Sequence, residues 1–328
     1  MQWLTSFRGT VFASLATATI VAISGHAVAK QQPDQLSAKD EEIIVTGQKH
    51  RLAEFRNLIT NQFNVSGGSS NTGQYPRFSS PVCPSVAGLS ERQSNAIEAR
   101  IREIAEMAEI PVATAKCDPN IFVAVIEDGA AEIQLLRSKK SRLFASLTHS
   151  KRDAMEQSGG PVYSWKATQT IGSDTGHSAG AGSITLMADA PGGSAGGSSA
   201  ALGDMMVAGQ RTHVKSKISK STTEGIAYSY LLIESKALEG VSAAQLADYA
   251  AMVSLIDIDV SSKSDVPTGS ILGLFSNSDD KEDLPQSLSG GDLLLLQGLY
   301  KVPANVNAPL QRSAMLHTMQ EASKSEDE

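Results

Sequence analysis

Leu288-Ser289-Gly290-Gly291-Asp292-Leu293-Leu294-Leu295-Leu296-Gln297-Gly298-Leu299-Tyr300-Lys301 is the stretch from which the fold is read. Ser289 is a helix N-cap, and Asp292, three residues on, can return the hydrogen bond as its capping-box partner. Leu293, Leu296, Leu299 and Tyr300 recur at i, i+3 and i+6/i+7. That spacing puts one apolar stripe on the last helix, and the stripe must be buried against a core.

Upstream of it, residues 270–275 (SILGLF) read as a compact apolar turn. Before the turn, Ser242 and Gln245 repeat the capping box, and Leu246, Tyr249, Ala250, Val253 and Ile256 make the buried face of a second helix. Residues 212–220 and 225–235 read as a hairpin turning over 222–225, its second strand (IAYSYLLIE) apolar enough to be central. Residues 161–170, with Trp165, read as a strand and 130–137 as a helix. Residues 121–126 (IFVAVI) are a continuous apolar run of the kind found in a buried strand. Ser90 with Gln93 caps a further helix, whose stripe is Ile97, Ile101, Ile104 and Ala108 and which Pro111 stops. An extended piece at 81–86 precedes it. Strands and helices in this order indicate an α+β domain.

Residues 247–301 resemble the C-terminal half of matrixin-type zincin metalloproteases. In that family an active-site helix carries H-E-x-x-H-x-x-x-x-x-H, a Met-containing turn follows, and L-S-x-x-D-x-x-x-I-x-x-L-Y-G lies on the last helix. Leu288, Ser289, Asp292, Leu299 and Tyr300 match the last motif, with Leu296 for Ile and Lys301 for Gly. Leu272 stands where the turn would carry Met. The resemblance implies a zincin-like fold: a small twisted mixed sheet, an active-site-like helix and a C-terminal helix. It also implies a degenerate site. Ala247 and Ala251 hold the two helical ligand positions, Asp257 the third, and Asp248 the general-base position. A catalytic zinc needs three protein ligands and an open water position, and a methyl group offers no lone pair. The expectation is therefore no zinc, no other cofactor and no catalytic residue, with the two alanines flooring an apolar cleft.

The chain has 328 residues, is 41% hydrophobic and carries a formal charge of −7 without a basic block. That balance argues against nucleic acid or an anionic membrane as the main partner. At the N-terminus, Arg8 precedes an uncharged run over 9–24, shorter than the roughly 20 residues a bilayer span needs. Ala27-Val28-Ala29 then offers a small-x-small cleavage site, so residues 1–29 read as a signal peptide cut between Ala29 and Lys30. The mature protein is expected in the periplasm or the medium, with no transmembrane span. In an exported chain Cys83 and Cys117 read as one disulfide. The domain plan is an extended or disordered arm over 30–79, one α+β domain over 80–310, and a polar acidic tail over 311–328. A flexible Gly/Ser/Ala-rich insertion at 172–203 interrupts the domain.

Other motifs are weak. His50, His149, His177, His213 and His317 have no mutual metal-ligand spacing, and no G-x-S-x-G elbow is present. Asp257, Asp259 and Asp265 lack the EF-hand pattern and read as a solvated helix end. Glu42-Ile43-Ile44-Val45-Thr46-Gly47 resembles the TonB box of outer-membrane receptors, a segment that works by strand addition to an envelope partner. Its I-V-T-G start, with the C-terminal pattern, also resembles uncharacterised exported proteins of proteobacteria. Three functions follow as expectations. The first is a non-catalytic domain that binds a partner, possessing a leftover cleft and an N-terminal arm for it. The others are a hydrolase with an unrecognised site and a structural envelope protein.

Overall fold

The computed structural model describes residues 51–114, 116–172, 219–261, 265–275 and 285–325. The segment read as a signal peptide with Ala29 and Lys30, the segment 42–47, the expected insertion from 173 onward and the expected hairpin strand over 212–218 lie outside the described residues.

The axis of the sheet is β5 (Thr222–Glu234). Its sequence alternates little because both of its faces are covered. β3 (Ile121–Ile126) runs parallel to it, from Ile121 opposite Ser229 to Ile126 opposite Glu234. β2 (Pro84–Ala87) lies parallel to β3 on the outside, and the two-residue β1 (Arg77–Phe78) pairs with Gly225 and Ile226. β4 (Val162–Gly172) runs antiparallel along the other edge of β5, with a bulge between Ala167 and Thr168. The sheet is mixed, parallel between β1 and β5, β2 and β3, and β3 and β5 and antiparallel between β4 and β5, which is consistent with an α+β domain. The hairpin turn expected at 222–225 is corrected: those residues are strand, paired with Gly172, Ile171, Thr170 and Gln169.

One face of the sheet packs on α2 (Glu91–Met107) and α5 (Ala243–Leu255). Ile97, Ile101 and Ile104 of the expected α2 stripe are all buried. The other face carries a smaller aromatic core. Trp165 stacks between Phe144 and Tyr230, each with ring centroids 4.9 Å away, and donates its indole N–H to Leu143 O. α3 (Gly129–Lys139) and a short 3-10 turn, Ser141–Phe144, cover it. α4 (His149–Gln157), which no periodicity announced, follows. Cys83 and Cys117 are bonded, Cα to Cα 6.1 Å, and fasten the loop after α2 to the entry of β2.

Two expectations about the ends of the domain are corrected. Residues 51–61 form a helix, α1, and Phe55, Leu58, Ile59, Phe63, Tyr75 and Phe78 are all buried, so residues 51–79 belong to the folded domain and not to an extended or disordered arm. Its polar composition hid a Leu52, Phe55, Leu58, Ile59 stripe at helical spacing. Residues 311–325 of the expected tail belong to the folded domain as well. α6 (Gly290–Lys301) is followed by α7 (Ala308–Ser325), which buries Met315, Leu316 and Met319. Gln311, fully buried, accepts from Tyr75 N at 2.7 Å and so ties α7 to the N-terminal segment. Among the described residues no helix is long and apolar enough to cross a membrane.

Candidate functional site

The four positions read as a degenerate zinc site do not floor a cleft. α5 is buried from Gln245 to Leu255, enclosed by α2, β5, α6 and the turn Ile271–Phe275. Ala247 and Ala251 are 3% and 0% exposed. Asp248, 1% exposed, is committed to structure: Arg100 Nε donates to Oδ1 at 2.6 Å and Leu288 N to Oδ2 at 2.7 Å. The expectation of a single buried face on this helix is corrected, because neighbours pack on every side of it. Asp257, past the end of α5, is the one of the four that borders open space.

That space is a groove of about 560 Å³ running along β4. Residues 64–67 and 257–261 form one wall, and Ser146, Leu147 and α4 the other. The register fixes what β4 shows to it. Glu234 N donates to Pro161 O, so residues 161, 163 and 165 exchange hydrogen bonds with β5. Val162, Ser164 and Lys166 therefore direct their N–H and C=O groups away from β5. Lys166 O confirms this, accepting from Ser146 Oγ at 2.6 Å. Gly67, in the left-handed region at φ +67°, lets its loop close over Glu224, where a Cβ would collide with the carboxylate.

Two charged side chains meet at the groove. Lys166 is 2% exposed, and its Nζ donates to Ser164 Oγ at 3.0 Å and to Val253 O at 2.8 Å. Val253 O is one of the unpaired carbonyls in the last turn of α5, so the ammonium also meets the negative end of that helix. Burial lowers the Lys166 pKa to about 8, against the pull of Asp257. Burial likewise raises the Asp257 carboxyl, which Lys166 and Asn64 hold back. Asn64 joins its own wall to the opposite one: its Nδ2 donates to Asp257 Oδ1 at 2.9 Å and its Oδ1 accepts from Lys151 Nζ of α4 at 2.7 Å. Farther along, Glu224 accepts from Thr170 Oγ1 at 2.9 Å.

A second cavity, about 240 Å³, opens beside the groove and shares Ser158, Val162, Ile258, Val260 and Ser261 with it. Tyr249, Val260, Val266, Leu272 and Phe275 give it apolar walls, with Tyr249 edge-on to Phe275 at 4.7 Å between ring centroids. Gln62 Nε2, also in its lining residues, is buried without a hydrogen-bond partner.

Among the described residues no group of three or more His, Cys, Asp or Glu side chains could hold a metal ion. Asp259 and Asp265 serve local bonds, Asp259 Oδ1 accepting from Ser261 N and Asp265 Oδ2 from Asn61 Nδ2. His149 and His317 are exposed on helices. Sequence reading missed Ser164, Lys166 and Asn64. The available signal was Lys166 itself, a cation set in the apolar strand V-Y-S-W-K-A. Comparison with family models, curated proteins and solved structures finds no match.

Proposed function

We propose that this chain is an exported, degenerate zincin-like domain that does no zinc chemistry and binds an extended polypeptide of the cell envelope along β4. The observation that carries the reading is the outer edge of β4, which pairs with no further strand among the described residues and whose Val162, Ser164 and Lys166 main-chain groups point away from β5, Lys166 O being held by Ser146 Oγ. A chain laid there adds a strand, its main chain giving affinity and alternate side chains giving specificity. The neighbouring cavity, lined by Tyr249, Leu272 and Phe275 together with Gln62, Ser158 and Ser261, has room for one side chain of that peptide. The zincin likeness draws support from the order of sheet, buried helix, tight turn and capped helix. Asp292, for its part, links the last two: its carboxylate accepts from Ser270 Oγ, Ile271 N and Ser289 N. Ala247 and Ala251, deep in the core, support the absence of zinc chemistry at that helix.

A test uses the mature chain from Lys30 to select binders from a random peptide library, then titrates them against native protein and Ser164→Pro. Proline at an outward-facing edge position removes one N–H from the groove and none from the β4–β5 ladder. Affinity should fall about tenfold or more with the unfolding midpoint little changed. Undiminished binding by the proline variant would remove strand addition. Stoichiometric zinc with chelator-sensitive proteolysis would remove the degenerate reading.

A further inference from the structure

We propose that Ser164 and Lys166 form a nucleophile–base pair that takes an acyl group from an ester or amide carbonyl onto Ser164 Oγ. The placement comes from strand geometry. Residues i and i+2 share one face of β4, so the hydroxyl and the amine are brought side by side without a special loop. Nζ lies 3.0 Å from Oγ, within the reach a base needs to accept the serine proton. Lys166 is 2% exposed while Ser164 is part-exposed, and both line the 560 Å³ groove, so the base is sheltered and the nucleophile reachable.

The hydrogen-bond inventory allows the neutral amine. A neutral Nζ has two donors and one lone pair. One donor stays on Val253 O at 2.8 Å, and the lone pair accepts from the Ser164 hydroxyl. Burial favours the uncharged amine, lowering its pKa to about 8, and Asp257 is the charged group opposing this. Lys151 and Asp259 act on Asp257 in turn. The outward N–H groups of Ser164 and Lys166 are donors for the oxygen of a carbonyl brought to Oγ.

In the reaction the Oγ–C bond forms as the hydroxyl proton passes to Nζ. The carbon–leaving-group bond then breaks with its electron pair, and the ammonium returns its proton to the leaving group. Water attacks the acyl-serine by the reverse sequence and restores the hydroxyl. No metal, oxidant or co-reactant other than water is needed. The inference uses the groove of the proposed function but neither strand addition nor the zincin likeness, because a small ester needs only the pair.

The test treats the mature, oxidised chain with a fluorophosphonate, which phosphonylates an activated serine and expels fluoride. Intact mass and peptide mapping should place one adduct on Ser164. The labelling rate should rise with pH and level off above about 8. Ser164→Ala should abolish it, and Lys166→Met should slow it about 10²-fold or more. Lys166→Arg keeps the positive charge but offers no base, so it should be as slow. Thermal unfolding of each variant shows that it is folded, and Ser164→Ala, an edge-strand change, serves should the lysine variants unfold. No adduct, an adduct elsewhere, or an adduct on Ser164 whose rate ignores Lys166 would each overturn the pair. Since the probe is not a peptide, labelling and peptide binding fail or succeed separately.

Discussion

Asp292 and Lys166 are both buried charged side chains, one under α6 and one under β4, yet their surroundings differ. Asp292 is fully enclosed and its carboxylate is saturated by Ser270 Oγ, Ile271 N, Ser289 N and Ser289 Oγ. Asp248 is similar, held by Arg100 and Leu288 N. Lys166 and Asp257 act on each other electrostatically beside a groove, each bonded first to neutral groups. A buried charge whose bonds are all spent on the chain's own backbone and turns is holding the fold together. One that keeps capacity and borders open space is placed for a ligand.

The largest effect expected from this contrast is at Asp292. Asp292→Ala strips the acceptors from the turn at Ser270 and Ile271 and from the α6 cap at once, and should cost about 4 kcal/mol in urea unfolding. A loss below about 1 kcal/mol would show that the two ends of that link stand independently. Asp248→Ala should cost less, about 2 kcal/mol, because Arg100, 31% exposed, can turn to water while Leu288 N stays unpaired. Equal costs at the two sites would erase the distinction between a closed and a half-open charge.

The smallest effect is at Lys166, and its sign is opposite. Its pKa is lower folded than unfolded, so between about 8 and the unfolded value near 10.4 the unfolded chain binds the extra proton. Stability therefore rises with pH in that window, by about 1–2 kcal/mol between pH 8 and 9.5. Above about pH 10 buried Tyr249 and Tyr300, whose pKa values burial raises, oppose the gain. Lys166→Met should flatten the rise while leaving the fold intact. A native curve flat from pH 8 to 9.5 would mean that water reaches the amine and that its burial has no electrostatic cost.

Several elements were legible in the sequence because their causes are local. Ser90 with Gln93, Ser242 with Gln245 and Ser289 with Asp292 are capping boxes within four residues, and the structure forms all three. The Ile97, Ile101, Ile104 stripe needs only helical periodicity. The cysteine pair needed only parity and the expectation of export. α1 was missed although its stripe was present, because a polar background outweighed four apolar residues. The zinc-site reading of α5 gave its length and caps but assumed one open face, and no periodicity can tell a helix buried on one side from one buried on all.

The sequence by itself determined the caps, the apolar stripes, the apolar strands and the disulfide, since each is an interaction between near neighbours or a matter of residue type. Tertiary structure alone decided that α5 is enclosed, so that Ala247, Asp248 and Ala251 face packed neighbours. It also set β4 antiparallel on β5 with the main-chain groups of Ser164 and Lys166 pointing away from β5, and brought Asn64 and Asp257, 193 residues apart, into one wall. The physical reason is that burial and pairing are properties of what lies across a gap. A chain read one residue at a time carries the periodicity of a face but not the identity of what packs against it.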